Sequence, residues 1–192
     1  MAVPSDLTIL NLTGKYIMNK SLTDTNATDE ILRLQGVSWL TRRAIGLSTI
    51  TLYIKHYTSE SDSIEHIDID QTLSGGIGGT TELRTLDWTE RETSDRIFGE
   101  VVGKSRRVTN LEGDIDVPFL REGWTDETRA HGVVQSYVES NTAKSGTTWV
   151  ANQTWGIEEI NGERRYVRHV KFTGPNSENI ETKLIYDYVG PL

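Results

Sequence analysis

Hydrophobic and polar residues alternate with a period of two along most of the chain. The clearest stretch is 66–88. Ile67 and Ile69 alternate there with Asp68 and Asp70; beyond a glycine-rich run, Thr81, Leu83 and Thr85 alternate with Glu82, Arg84 and Leu86. A period of two marks half-buried strands. Gly75, Gly76, Gly78 and Gly79 supply the positive φ angles that close a hairpin without steric cost. A phosphate loop would need Gly-Lys-Ser or Gly-Lys-Thr opening a helix. Here Thr80 and Thr81 follow and the pattern stays β-like, so the hairpin is the better reading.

Further strands are expected over 12–21, 48–58, 96–107, 131–140, 147–157, 164–173 and 179–189. Asn161-Gly162 between two of them is the strongest hairpin signal in the chain. The period changes once. Ile31, Leu32, Leu34, then Trp39, Leu40, Ala44 and Ile45 fall at helical spacings broken by Gly36, which predicts two short helices over about 28–46. Asp24, Thr25 or Thr28 would cap the first and Gly36 would end it. Residues 110–126 are acidic, contain Pro118, and read as a long loop carrying Phe119, Leu120 and Trp124. The order predicts a single all-β domain over 1–192. Its form is a closed antiparallel β-barrel of about nine or ten strands with a two-helix lid. Closure hides sheet edges, and a barrel of this size can enclose a ligand.

Alternation also assigns faces. Trp149, Ala151, Gln153 and Trp155 share one face, expected to point inward; Tyr166, Arg168, Val170 and Phe172 align on the next strand, and Leu184, Tyr186 and Tyr188 on the last. On the second strand Ile50, Leu52, Ile54 and His56 look core-facing, which leaves Tyr53 open. Trp39 and Trp88 are expected near the mouth. The expected lining is therefore Trp149, Trp155, Tyr188, Tyr186, Phe172, Trp39, Trp88 and Tyr53, although core packing explains any one of these aromatics equally well.

Composition narrows the function. Hydrophobic residues make up 35%, and five Trp and seven Tyr raise the aromatic share. A formal charge of −8 disfavours nucleic acid, which needs a basic face. The absence of cysteine removes disulfides, thiolate metal sites and cysteine nucleophiles. His66, Asp68 and Asp70 on one strand face could ligate a metal. A solvated face explains them as well, because Ile67 and Ile69 take the other side. No zinc-type histidine spacing and no G-x-S-x-G is present. No run approaches membrane-spanning length. The first residues, MAVPSDLTILNLTGKY, lack a signal-peptide pattern, so a cytoplasmic location is expected.

Gly14-Lys15-Tyr16 resembles the G-x-W opening of lipocalins and fatty-acid-binding proteins, with Tyr for Trp. GVSWLTRRAI resembles the helical lid of the latter. Their Arg-x-Tyr carboxylate anchor is missing from the last strand, and Arg164-x-Tyr166 stands one strand earlier. LQGVSWLTRRAI, HIDIDQTLSGG, TLDW, TWGIEEINGERRYVR and IYDYVGP are similar to a fungal lipocalin-like group. That group includes hetero-Diels–Alderases of tropolone–sesquiterpenoid biosynthesis. The resemblance implies a cofactor-free pericyclase that joins a tropolone o-quinone methide to a humulene-type alkene. Tyr166, Arg168, Gln153 and His131 would then donate hydrogen bonds to the tropolone oxygens. A non-catalytic carrier of a hydrophobic small molecule is the alternative. Hydrophobic small molecules are the expected partners, with no nucleic acid and no membrane, and both monomer and homodimer stay open.

Overall fold

In the computed structural model, which describes residues 1–76 and 78–192, ten strands among those residues form one sheet. They are β1 (Gly14–Met18), β2 (Ile50–Thr58), β3 (Glu65–Leu73), β4 (Thr80–Thr85), β5 (Arg91–Asp95), β6 (Gly99–Val108), β7 (Val133–Ser140), β8 (Val150–Ile160), β9 (Glu163–Thr173) and β10 (Asn179–Gly190). Ile77, inside the expected glycine-rich turn between β3 and β4, lies outside the described residues. Helices α1 (Thr25–Leu34) and α2 (Trp39–Leu47) separate β1 from β2. Helices α3 (Leu111–Asp114), α4 (Pro118–Arg121) and α5 (Asp126–His131) lie between β6 and β7, and α6 (Thr142–Ser145) between β7 and β8. No helix among the described residues is long and apolar enough to cross a membrane.

The strand order is β4-β3-β2-β1-β10-β9-β8-β7-β6-β5, antiparallel throughout. Pairing of β1 with β10 curls the sheet into a nearly closed barrel. The free edges come together at β4 and β5–β6, where an isolated bridge joins Asp87 to Arg106. The all-β barrel expected from the alternation is therefore present. The Asn161-Gly162 turn has both residues at positive φ, 54° and 78°, as a two-residue hairpin requires.

The element boundaries differ in three places. Asp24 caps α1, accepting from the Asn26 and Ala27 amides, so the helix starts at Thr25 rather than near residue 28. Strand β5, RETSD, carries no buried side chain and so has no hydrophobic alternation to betray it. The expected long loop at 110–126 contains two complete short helices and the start of α5. It folds because Leu111, Ile115, Leu120 and Trp124 pack on Val167 and Ile185, which face outward from β9 and β10.

The barrel's two halves differ. One end is plugged by the N-terminal segment. Val3, Ile9 and Leu12 pack there with Tyr16, Leu52, Ile54, Ile67, Ile69 and Ile157. Helix α1 covers the opposite end, where Ile31 and Leu34 meet Trp149, Ala151, Val170 and Phe172.

Gly156 on β8 faces the outer segment. A Cβ there would stand 2.7 Å from both Thr128 Cγ2 and Trp124 Cε3. Gly156→Ala is expected to push residues 110–131 off the barrel and to cost about 1–3 kcal/mol. Urea denaturation of variant and wild type measures this, and unchanged stability would refute the close approach.

Candidate functional site

Direct cross-strand partners share a face, so the registers define inward-facing rows. One row runs Leu184, Arg168, Trp155, Val134 and Arg107 across β10, β9, β8, β7 and β6. On the far wall, Ile69 pairs with Glu82 and Ile67 with Arg84, which turns both β4 charges inward. The site is the meeting of these two walls.

Arg168 is 4% exposed. Its Nε donates to the Tyr166 hydroxyl at 3.0 Å and its Nη1 to Glu82 Oε1 at 3.2 Å. The guanidinium lies over the Trp155 ring, 4.1 Å from the centroid, a cation–π contact strengthened by desolvation. Arg84 Nη2 donates to Glu82 Oε2 at 2.9 Å. Trp155 Nε1 donates to Gln153 Oε1 at 2.9 Å. Two guanidiniums thus share one carboxylate, leaving one positive charge in excess. Arg168 Nη2 and Arg84 Nε are buried and find no partner among the described residues. A buried donor without an acceptor is costly, and it is a ready receptor for a ligand oxygen.

Burial opposes the charge on Glu82, but Arg168 and Arg84 more than offset it and hold its carboxyl at about 2. Burial likewise opposes the Arg168 charge, which Tyr166 and Glu82 stabilise, so its pKa is raised. Burial pushes the phenols of Tyr166 and Tyr186 up. Both remain protonated at neutral pH and available as donors. Tyr186 lies 5.7 Å from the Arg168 guanidinium, measured to its ring, and Tyr166 packs 5.5 Å from Tyr186 and 5.3 Å from Tyr16 between centroids.

The structure brings Tyr166, Arg168, Gln153, Trp155 and Tyr186 together. Phe172 and Trp149 stack at the lid end, 6.2 Å apart, and Tyr188 lies against Tyr16 at 5.5 Å. Four expected positions fall outside. His131 is exposed as the last residue of α5; Gly132 at φ 84° ends the helix before β7 begins. Tyr53 is on the outer face beneath Lys15, because Leu52 and Ile54 take the inner parity. Trp39 is 67% exposed on α2. Trp88 adopts φ 59° after β4 and turns outward beneath Arg106 and Lys104. His66, Asp68 and Asp70 line the outer face, where Tyr57 stacks on His66 and bonds Asp68 while Thr81 bonds Asp70.

His56, expected inward, sits at the plugged end. Its Nδ1 accepts from the Leu12 amide, so its Nε2 donates to Glu65 at 2.7 Å. Arg107 reaches the same carboxylate. Burial opposes ionisation of Glu65, but the His56 and Arg107 bonds hold it at about 2.

Glu82 and Arg84 were not among the expected site residues. Alternation groups them together but cannot say which face of β4 is inner, and Leu83, at 69% exposure, has the opposite face. The signal that identifies them is the β3–β4 register, which sets them opposite Ile69 and Ile67.

No family model matches the chain. It is 29% identical to a probable pericyclase, scpY, of Mollisia scopiformis, over 99% of this chain and 96% of the relative. It is 27% identical to the pericyclase pydY of Acremonium sp., over 100% of this chain and 98% of the relative. The barrel resembles the REP1-NXSQ fatty acid transporter (TM-score 0.54, 13% identity, 93% of this chain and 98% of that one). It also resembles the fluorescent protein UnaG (TM-score 0.52, 13% identity, 93% and 97%). The resemblance to fungal lipocalin-like proteins read from the sequence is borne out at full length by the first pair, and its fold by the second.

The depressed Glu82 pKa implies stability that is present above about pH 4.5, the ordinary value, and lost as pH falls toward about 2. Glu82→Gln is expected to flatten that part of the stability–pH curve. At neutral pH it should cost about 3–5 kcal/mol, because two buried guanidiniums lose their counter-ion. Thermal melts of both proteins between pH 2 and 7 test this; parallel curves would contradict the pairing.

Proposed function

We propose that the chain is a pericyclase, and that the row around Arg168 is where it works. The observation that carries this is full-length similarity to two fungal proteins named pericyclases. It is joined to buried, unpartnered donors beside an aromatic wall inside the barrel, among the described residues. The reaction we favour is an intermolecular hetero-Diels–Alder addition of a tropolone o-quinone methide to a humulene-type alkene. One C–C and one C–O bond form, and the tropolone carbonyl oxygen becomes the ring ether. Every electron comes from the two reactants, so the step calls for no redox partner.

Such a reaction gains from orientation, which can supply much of an entropic barrier. Trp155, Tyr186, Phe172 and Trp149 offer flat apolar surface for this. It gains also from a donor at the electron-poor carbonyl, which lowers the energy of the accepting orbital. Arg168 Nη2 is such a donor, already fixed by Tyr166, Glu82 and Trp155 before substrate arrives. A dry interior protects the quinone methide from hydration. The quinone methide arises by loss of water from a tropolone alcohol: the carbinol C–O bond breaks, the departing hydroxyl takes up a proton, and the ring hydroxyl gives one up to become the carbonyl, which restores the proton donor. Tyr166 or Tyr186 would assist as proton donor within hydrogen-bond reach of the leaving hydroxyl. A cytoplasmic location suits the proposal.

The second reading is a carrier of a hydrophobic small molecule, favoured by the likeness to a fatty acid transporter's fold. One assay separates the two. Purified, chelator-treated protein is incubated with the tropolone alcohol and the alkene. Adduct formation above the protein-free rate, with a changed stereoisomer ratio, is expected. Arg168→Gln should slow it by about tenfold to a thousandfold, with circular dichroism confirming the fold, and Trp155→Leu should mainly loosen product selectivity. Adduct at the control rate and ratio rejects the enzyme, and saturable tryptophan quenching without turnover identifies the carrier.

A further inference from the structure

The row next to Arg168 on its lid side is polar in a way that the barrel's own packing does not require. In register across β6, β7, β8, β9 and β10 stand Ser105, Ser136, Gln153, Val170 and Thr182. Each is two residues along its strand from the inward row that contains Arg168, so all five face the interior. Ser105 is 2% exposed, Ser136 0% and Thr182 5%. None of their three hydroxyls has a hydrogen-bond partner among the described residues. Trp149 Nε1, nearer the lid, is also buried and unpartnered among them.

Buried hydroxyls normally find an acceptor, and leaving one unmet costs about 1–3 kcal/mol. Ser105 and Ser136 stand side by side on β6 and β7, and Thr182 joins the same row from β10 beyond Gln153 and Val170, so the unmet hydroxyls follow the row rather than an accident of one rotamer. The half of the barrel in which they stand is less tightly sealed than the plugged half. Gln153, Val138, Val101, Ile180, Leu184 and Phe98 all retain partial exposure, whereas Leu52, Ile54, Ile67, Ile69, Ile157 and Tyr166 at the plugged half have none.

We infer that Ser105, Ser136 and Thr182, with Gln153, form a second polar subsite of the chamber that receives a neutral hydroxyl or carbonyl oxygen of the substrate. This rests on the proposal that the interior is the substrate chamber, and it adds a substrate class. The ligand carries two separated oxygen functions on an apolar skeleton. One accepts from Arg168. The other lies roughly 7–16 Å away, from a two-residue step of about 3.4 Å per residue and one to three strand spacings of about 4.8 Å. A hydroxyl both donates and accepts, so the row accommodates either an alcohol or a ketone. It offers no charge, so a second carboxylate is excluded.

The test uses decanoate and ω-hydroxydecanoate, followed by quenching of tryptophan fluorescence. The carboxylate of each can meet Arg168, and only the second carries an oxygen that can reach the row. In a purely apolar chamber the added hydroxyl would weaken binding, because it must be desolvated without a partner. The sign of the difference is therefore diagnostic. Wild type is expected to bind the hydroxy acid about five- to tenfold more tightly. The double variant Ser136→Ala/Thr182→Val should reverse that preference and leave decanoate affinity within about twofold, since a plain chain makes no hydrogen bond with the row. Its melting temperature should not fall, because the lost hydroxyls bond nothing in the free protein. A wild-type preference for decanoate overturns the subsite while leaving the chamber intact. So does a preference that survives the double variant, or equal weakening of both probes, which would mean that the row merely holds water. A clearly lowered melting temperature would reveal hidden structural partners for the hydroxyls and would likewise overturn the subsite. Quenching by neither probe would remove the chamber, and the subsite with it.

Discussion

A guanidinium inside a barrel constrains everything around it. Arg168 cannot be left in an apolar interior without counter-charge and acceptors, since the desolvation penalty of an isolated ion is several kcal/mol even after relaxation. Glu82 answers the charge from the opposite wall, 86 residues away in sequence, and Tyr166 and Trp155 take the remaining faces of the fork. That pairing requires β4 to turn its charged side inward. It also requires the sheet to curl until β4 stands across from β9. The nearly closed barrel and the polar centre are two aspects of one arrangement. The solution is incomplete, since Arg168 Nη2 stays unpartnered among the described residues.

The barrel is asymmetric along its axis for a related reason. At the plugged end Glu65 takes bonds from both His56 and Arg107, and Arg107 also reaches the carbonyls of Ile9 and Gly132. The N-terminal segment is tied to that network and seals it. Toward the lid, polar groups stand without partners among the described residues and the side chains stay partly accessible. Packing is thus tighter in one half than in the other. Such a division lets one half keep unmet donors without unfolding, because local stability need not be uniform across a domain.

The outer face supplies the reinforcement. Residues 110–131 are held on β8 and β9 by Thr154 donating to the Leu120 carbonyl at 2.6 Å and by Trp124 stacking on His169 at 4.0 Å. His169 contacts the Phe119 carbonyl and Glu158, and Lys183 donates to the same carboxylate. Burial opposes ionisation of Glu158, but His169 and Lys183 outweigh it and lower its pKa. The strands that carry Trp155 and Arg168 inside are the ones clamped outside. Their rotamers are therefore supported from both faces, as a preorganised site demands.

What the sequence determined by itself follows from local periodicity. Alternation identified nine of the ten strands, the Asn161-Gly162 hairpin and the two helices between β1 and β2. It also set Trp155, Tyr166, Arg168 and Tyr186 on their correct faces, because a residue's side of a strand depends only on its neighbours in the chain. It missed β5, which buries nothing, and misplaced His131, whose helix is held by contacts with distant strands. Tertiary structure alone decided which wall faces which. Glu82 and Arg84 look like ordinary surface charges until the β3–β4 register turns them inward. The hydroxyls of Ser105, Ser136 and Thr182 become a row only when five strands fall into register. Pairing between strands is a long-range fact, fixed by the packing of the whole barrel, and no period along the chain encodes it.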